Sequence, residues 1–299
     1  MNKATAIESS PAWLNQPVQD VNLVLEGGAM RCLFTQGVLD CLMLKRLFAK
    51  RVIGVSAGAL SGWYYVMGLV GRACYINVKY CTDWRYLSLK SFLVTGNACG
   101  REYMFDKVPR ELEPVDFSLF NDSPIQLVAV SSNIETGEAD YHALKDADAD
   151  MPYLIATSSM PLVSQIVNVD GKLLLDGGTC DSVPIDYSLK TGARKHIVVT
   201  THDANYVRKP ERALPLMERV YKDYPYYLDR ARYRHYEYNR TYREIQRMHA
   251  RGEAFVIMPP EPVTVSNMET DPKKLMALYE QGYKTALEAW PALEAYLSA

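Results

Sequence analysis

Val52-Ile53-Gly54-Val55-Ser56-Ala57-Gly58-Ala59-Leu60 decides how this chain folds. Arg51 to Val55 is short, apolar and rich in β-branched residues, which marks a buried strand, and Ala57 to Val70 then carries apolar residues at helical spacing. Between them a serine is flanked by small residues, as a sharp strand-to-helix turn requires when it holds a side chain out of a crowded backbone. Val52 to Gly71 is also uncharged and about as long as a membrane-spanning helix. Gly54, Gly58 and Gly62 even have the spacing of a helix-packing stripe. Those glycines, with Gly68 and Gly71, favour strand, turn and helix over a span.

Upstream, Val21 to Glu26 repeats the pattern. It is a second apolar strand, followed by Gly27-Gly28-Ala29-Met30-Arg31 and a helix expected over Cys32 to Phe48. Two such units in succession predict an α/β fold, a three-layer α/β/α arrangement around a mostly parallel central sheet. Both turns then lie at the carboxyl edge of the sheet, where open α/β sheets place their sites. The backbone N–H groups of Gly27, Gly28, Ala29 and Ala57 are the candidate oxyanion hole for a reaction at Ser56. A phosphate-binding loop is the competing reading of the first turn, but it lacks Gly-x-Gly-x-x-Gly and Gly-Lys-Ser/Thr.

Downstream, Cys74 to Phe120 shows no clean period and is expected to form helices and long loops. Ile125 to Val130 reads as a strand and Met151 to Thr157 as a short helix. Gln165 to Val169 and Lys172 to Leu175 flank Asp170-Gly171, a hairpin signal. The second arm runs into Asp176-Gly177-Gly178. A carboxylate with an ordinary pKa near 3.9 is a poor base, so Asp176 can serve Ser56 only if it touches it and is partly desolvated. Asp-Gly-Gly also reads as a plain turn. His196 to Thr200 and Phe255 to Met258 are the last expected strands, and Asp271-Pro272 caps a helix running to Leu297.

The 299 residues are 48% hydrophobic and 23% charged, enough for a full core. The 33 basic and 35 acidic side chains leave a charge of -2, so no long-range field draws the chain to nucleic acid or anionic lipid. Cys32, Cys41, Cys74, Cys81, Cys99 and Cys180 have neither disulfide-framework nor zinc-site spacing, which points to a reduced chain with no metal. Residues 1–19 lack the apolar run of a secretory signal and are expected to be disordered. The expected organisation is a catalytic domain over 20–205 and a C-terminal helical region over 206–299 packed on it. The expected location is cytoplasmic, extending to peripheral contact with the inner membrane face.

Taken in order, the glycine loop with Arg31, the elbow Gly54-Val55-Ser56-Ala57-Gly58 and Asp176-Gly177-Gly178 resemble the patatin-like phospholipase family, nearest its bacterial cytoplasmic branch with an extended C-terminal region. The resemblance spans Val21 to Lys195. It takes in Ala156-Thr157-Ser158-Ser159-Met160-Pro161 and Val183-Pro184. It implies a Ser56–Asp176 dyad without histidine, hydrolysing acyl esters of phospholipids, lysophospholipids or neutral lipids with no cofactor. Arg31 would then hold the oxyanion loop or meet a phosphate. Ala29 and Cys32 stand where the family pattern has glycine, and an alanine held at positive φ costs about 1 kcal/mol or more.

Two other readings stay open. An α/β-hydrolase triad would add His196, His202, His235 or His249 to Ser56 and Asp176. A lipid-binding scaffold without catalysis would keep the fold alone. Arg219 to Arg251 carries nine Lys or Arg against four Asp or Glu, interleaved with tyrosine. That pattern fits a face for anionic membrane, and single-stranded nucleic acid would also suit it, although no nucleic acid partner is expected. The plain alternative is a long solvated helix with internally paired charges.

Overall fold

The computed structural model describes residues 10–299. In chain order the elements are β1 (Val18–Leu25), α1 (Leu33–Leu44), β2 (Phe48–Val55), α2 (Ala57–Val66), α3 (Arg72–Tyr80) and α4 (Leu89–Thr95). After a wide-turned helical stretch over Tyr103–Leu112 come α5 (Ser118–Asn121), β3 (Gln126–Asn133), β4 (Ala139–Ala143), α6 (Met151–Thr157), β5 (Val167–Val169) and β6 (Lys172–Asp176). The chain ends with α7 (Ile185–Lys190), β7 (Lys195–Val199), α8 (Leu214–Val220), α9 (Pro225–Ala250), β8 (Phe255–Ile257) and α10 (Pro272–Ser298).

The strands form one sheet in the order β5-β6-β3-β2-β1-β7-β8, with β4 beside β3. Pairing is parallel from β3 through β2, β1 and β7 to β8, and antiparallel at β4, β5 and β6. Alternate residues of each central strand enter opposite cores, as a period of two demands. Leu23, Leu25, Val52, Leu127, Ala129, Ile197 and Val199 face α1, α2 and α10. Val24, Ile53, Val55, Val128, Val130 and Val198 face the other way, onto α9 through Tyr238, Tyr242, Ile245 and Met248. The fold is therefore three-layered, and the tyrosines of α9 supply much of the second outer layer.

Several boundaries move for local reasons. The expected helix to Phe48 stops at Leu44 because Arg46 adopts φ 60°, so Phe48 opens β2 three residues earlier than expected. The helix after Ser56 ends at Val66 rather than Val70, at Gly68 with φ 71°. Pro225 opens α9 and separates it from α8, dividing the basic segment between two helices. β4 was not anticipated, because Ala139-Asp140-Tyr141-His142-Ala143 is a half-buried edge without apolar alternation.

The expected disorder of residues 1–19 is corrected over 10–19; residues 1–9 lie outside the described part. The Trp13 indole Nε1–H donates to Val66 O at 2.8 Å and Ala12 N–H to Gly68 O at 3.0 Å, so the end of α2 holds this stretch. Ala12 and Trp13 join the core. Among the described residues no helix is long and apolar enough to cross a membrane, all six cysteines are free and no cluster of metal-ligating side chains occurs.

Candidate active site

β1 is the point where the strand order reverses, since β2 follows it on one side and β7 lies on the other. The Gly27 turn leaves β1 and the Ser56 turn leaves β2 at the same sheet edge, the crevice that open α/β sheets offer to ligands. Ser56 has φ 55° and ψ -131°, a conformation that costs a non-glycine residue on the order of 1–3 kcal/mol. Its neighbours fix it there. Thr157 Oγ1 accepts the Ser56 N–H at 2.9 Å and itself donates to Val130 O. A Cβ on Gly54 would lie 2.5 Å from Ala59 Cα, and one on Gly58 would lie 2.7 Å from the carbonyl oxygens of Leu25 and Glu26. Both elbow glycines are thus required by close backbone approach.

Sheet register delivers the acid. β4 occupies one edge of β3, so β2 and β6 must share the other: Val55 pairs with Val130, and Asp176 pairs with the next residue, Ser131. The carboxyl ends of β2 and β6 therefore meet head on, which brings Ser56 and Asp176 to one place from opposite directions. A Cβ on Gly177 would collide with the Val130 carbonyl. Asp176 Oδ1 accepts the Gly178 N–H at 2.8 Å. Burial raises the Asp176 pKa above the ordinary carboxylate value, against the lowering effect of the Ser56 hydroxyl, Gly178, Arg234 and Arg208. The Ser56 side chain lies close enough to favour the charged form of that carboxyl.

Each predicted glycine-loop residue lies beside Ser56. Gly27, Gly28, Ala29 and Arg31 line a polar cleft with Ser56 and Asp176. Among the described residues the N–H groups of Gly27, Gly28, Ala29 and Ala57 donate to no protein acceptor. Ala29 does adopt the left-handed conformation, φ 48°. Cys32 is right-handed at φ -67° and buried, so its side chain imposes no such strain. Arg31 Nη1 donates to Asn267 Oδ1, and the Met30 N–H donates to Asn267 O at 3.4 Å.

Ser56 stands between two unlike spaces. On one side is an apolar cavity lined by Leu60, Trp63, Ile76, Met104, Phe105 and Leu154 among others. On the other is the open cleft, whose polar lining includes Glu26, Arg31, Asp176, Arg208, Glu211 and Arg234. No histidine lines either space. His202 stacks on Tyr206 with ring centroids 3.6 Å apart, and burial and the nearby Arg31 and Arg208 push its pKa down to about 3. His196 Nδ1 meets Ser188 Oγ at 2.7 Å, and His249 Nδ1 accepts the Val256 N–H at 3.2 Å, so both are held away from the serine.

Several site residues had no sequence signal. Glu26, the residue after β1, is buried and accepts the Thr201 N–H and the Tyr238 O–H at 2.6 Å each; burial raises its pKa. Asn267, Arg208, Arg234 and Tyr238 come from the C-terminal third, where no local motif distinguishes an inward residue from an outward one. Within the basic segment, Arg230, Arg232, Arg247 and Arg251 all pair with carboxylates, at 2.7 to 3.5 Å. That pairing neutralises much of the outer face of α9.

A model of the patatin-like phospholipase family matches residues 23–189, and a domain model of unknown function matches residues 224–298. The uncharacterized protein YjjU of Escherichia coli is 24% identical over 261 residues, 81% of this chain and 69% of that protein. Lysophospholipase NTE1 of Meyerozyma guilliermondii is 27% identical over 184 residues, covering 60% of this chain but only 12% of that protein. Among solved structures, VipD from Legionella pneumophila superposes with a TM-score of 0.49 at 11% identity, covering 92% of this chain and 67% of that one. The family match takes in the glycine loop, the Ser56 elbow and the Asp176 turn, more than half of the chain, and the protein belongs to the patatin-like phospholipase family.

Proposed function

We propose that the protein hydrolyses carboxylic esters of phospholipids or lysophospholipids through a Ser56–Asp176 dyad. The observation that carries this reading is the position of Ser56 at the wall shared by an apolar cavity and a polar cleft, beside a buried carboxylate. An acyl chain fills the first space and the alcohol side of the ester the second. Asp176 takes the Oγ proton as Ser56 attacks the acyl carbonyl. The unpartnered N–H groups of Gly27, Gly28, Ala29 and Ala57 receive the negative charge that develops on the carbonyl oxygen. Collapse breaks the bond to the alcohol, which leaves with the proton from Asp176. A water then attacks the acyl-serine, gives its proton to Asp176, and releases the fatty acid as the serine recovers its own.

The absence of histidine from the lining of both spaces favours a dyad over a triad. No step calls for a metal or organic cofactor. The test is labelling with an uncharged fluorescent fluorophosphonate, followed by a panel of lipid esters. Wild type is expected to label, and Ser56→Ala to lose the label. A folded wild type that does not label would leave a lipid-binding scaffold as the better account.

A further inference from the structure

We infer that Arg208 and Arg234, together with Arg31, form a subsite for the phosphoryl group of the lipid, supplied mainly by the chain beyond residues 23–189. This rests on the reading of Ser56 as the point of ester cleavage. Arg208 and Arg234 lie outside the family-matched segment, so neither the elbow nor the glycine loop accounts for them.

The three guanidiniums face the polar cleft that holds Ser56 and Asp176. Among the described residues none of the three forms an ion pair with a carboxylate, unlike Arg230, Arg232, Arg247 and Arg251 from the same region. Arg234 feels Asp176 and Glu211 across the cleft without an ion-pair contact to either, and a bound anion relieves the cost of burying such a cation. Arg234 and Arg31 each keep a buried Nε with no acceptor. The Arg234 head makes one long contact, Nη2 to Ser182 Oγ at 3.4 Å. Burial, and then Arg208, push the Arg234 pKa down to about 10, a value at which it stays charged at neutral pH.

Two features aim this pair. Arg208 is fixed through its backbone, whose N–H donates to Asn239 Oδ1 at 2.8 Å and whose carbonyl accepts from Asn239 Nδ2 at 2.9 Å. Its guanidinium is left over the Tyr238 ring at 5.4 Å. Arg234 reaches the catalytic acid across Gly178: a Cβ there would be 2.8 Å from Arg234 Nη2 and 3.0 Å from Asp176 Oδ1. The carboxylates that share the cleft already have partners. Glu26 accepts from Thr201 and Tyr238, and Glu211 Oε1 accepts the Ala213 N–H at 3.2 Å. A glycerophospholipid carries its phosphorus a few bonds from the scissile carbonyl, so a phosphoryl group in the cleft fits an acyl chain in the apolar cavity. Planar, multidentate recognition of phosphate oxygens is what guanidinium does best.

The test reads binding without catalysis. In a Ser56→Ala background, affinity is measured for monomeric octanoyl glycerophosphate, its unphosphorylated monoacylglycerol, glycerol phosphate and inorganic phosphate. Adding Arg208→Gln, Arg234→Gln or Arg234→Lys is expected to cut the preference for the phosphorylated over the neutral lipid by about 10- to 100-fold, the size of a charge-assisted hydrogen bond or two. The surface-paired Arg230→Gln is expected to leave that preference unchanged. An unchanged preference in folded Arg208→Gln and Arg234→Lys proteins overturns the subsite. Inorganic phosphate binding as tightly as the phosphorylated lipid would overturn it too, by making this a site for free phosphate. Fluorophosphonate labelling of wild type and of the arginine variants, with Ser56 intact, keeps the two questions apart: a folded wild type that does not label removes the esterase reading, while the binding series still decides the subsite.

Discussion

Replacing Asp176 with asparagine separates two effects of one carboxylate, and they have opposite signs. Asparagine keeps an acceptor for the Gly178 N–H, which Asp176 Oδ1 receives at 2.8 Å, so the turn after β6 should persist. What disappears is the proton acceptor. No histidine lines the spaces around Ser56 to take over, and losing a general base slows such reactions by about 10²- to 10⁴-fold, or about 3–5.5 kcal/mol. Stability should move the other way. Burial raises the Asp176 pKa, so the folded chain holds that proton more tightly than the unfolded chain does. The group's contribution is fully present below the unfolded value and is lost as pH rises through the raised folded value. At pH 8 wild type therefore bears the cost of a buried charge and Asp176→Asn does not, so the variant should melt higher, with the advantage shrinking as pH falls toward the carboxylate range. Labelling rates with the uncharged fluorophosphonate between pH 5 and 9, beside thermal unfolding at the same pH values, read both effects. In wild type the labelling rate should rise with pH through the Asp176 titration. An Asp176→Asn protein that labels within a few-fold of wild type, or a His202→Ala protein that does not label, would refute the dyad.

Other expectations come from particular contacts. Ala29→Gly should stabilise the fold by about 0.5 kcal/mol, because relief of a left-handed alanine of about 1 kcal/mol exceeds the added unfolded-chain entropy; urea midpoints at constant m-value would show it, and a lower midpoint would contradict the φ of 48°. Gly177→Ala forces a methyl against the Val130 carbonyl and should cost about 2–4 kcal/mol while displacing Asp176, seen as a lower melting temperature together with lost labelling. Leu60→Trp or Ile76→Trp fills part of the apolar cavity and should shift the preferred acyl length of p-nitrophenyl esters downward; an unchanged chain profile would place the acyl group elsewhere.

The sequence was most informative where close backbone approach limits residue choice. Gly54, Gly58 and Gly177 each face a backbone atom that a methyl would strike, so the elbow and the acid turn were legible as motifs before any coordinates. The βα order was legible for a related reason: central strands buried on both faces read as continuous apolar runs. The strand ends were not, since Arg46 turns at positive φ without glycine to announce it. β4 was invisible because an edge strand needs no apolar alternation. Arg208, Arg234, Tyr238 and Asn267 were invisible as site residues because their roles depend on which side of α9 and its neighbouring loops faces the sheet, in a segment where tyrosine and arginine occur on every side.

The C-terminal third also reaches the glycine loop. Tyr238 sits in the core between α9 and the sheet while its hydroxyl donates to Glu26, the residue immediately before Gly27. Asn267 holds the other end of the same loop through Met30 and Arg31. The glycine loop is thus clamped from both sides by residues beyond 189, although the loop, the elbow and the acid all lie within 23–189. A loop that presents unpartnered N–H groups has little internal bonding to hold it, and stabilising an oxyanion requires those donors to be fixed before charge develops. The helical region completes the second layer of the fold, and the same packing fixes the glycine loop at the carboxyl edge of the sheet beside Ser56. Removing it would expose Val24, Ile53, Val55 and Val128 to water and release the loop at once.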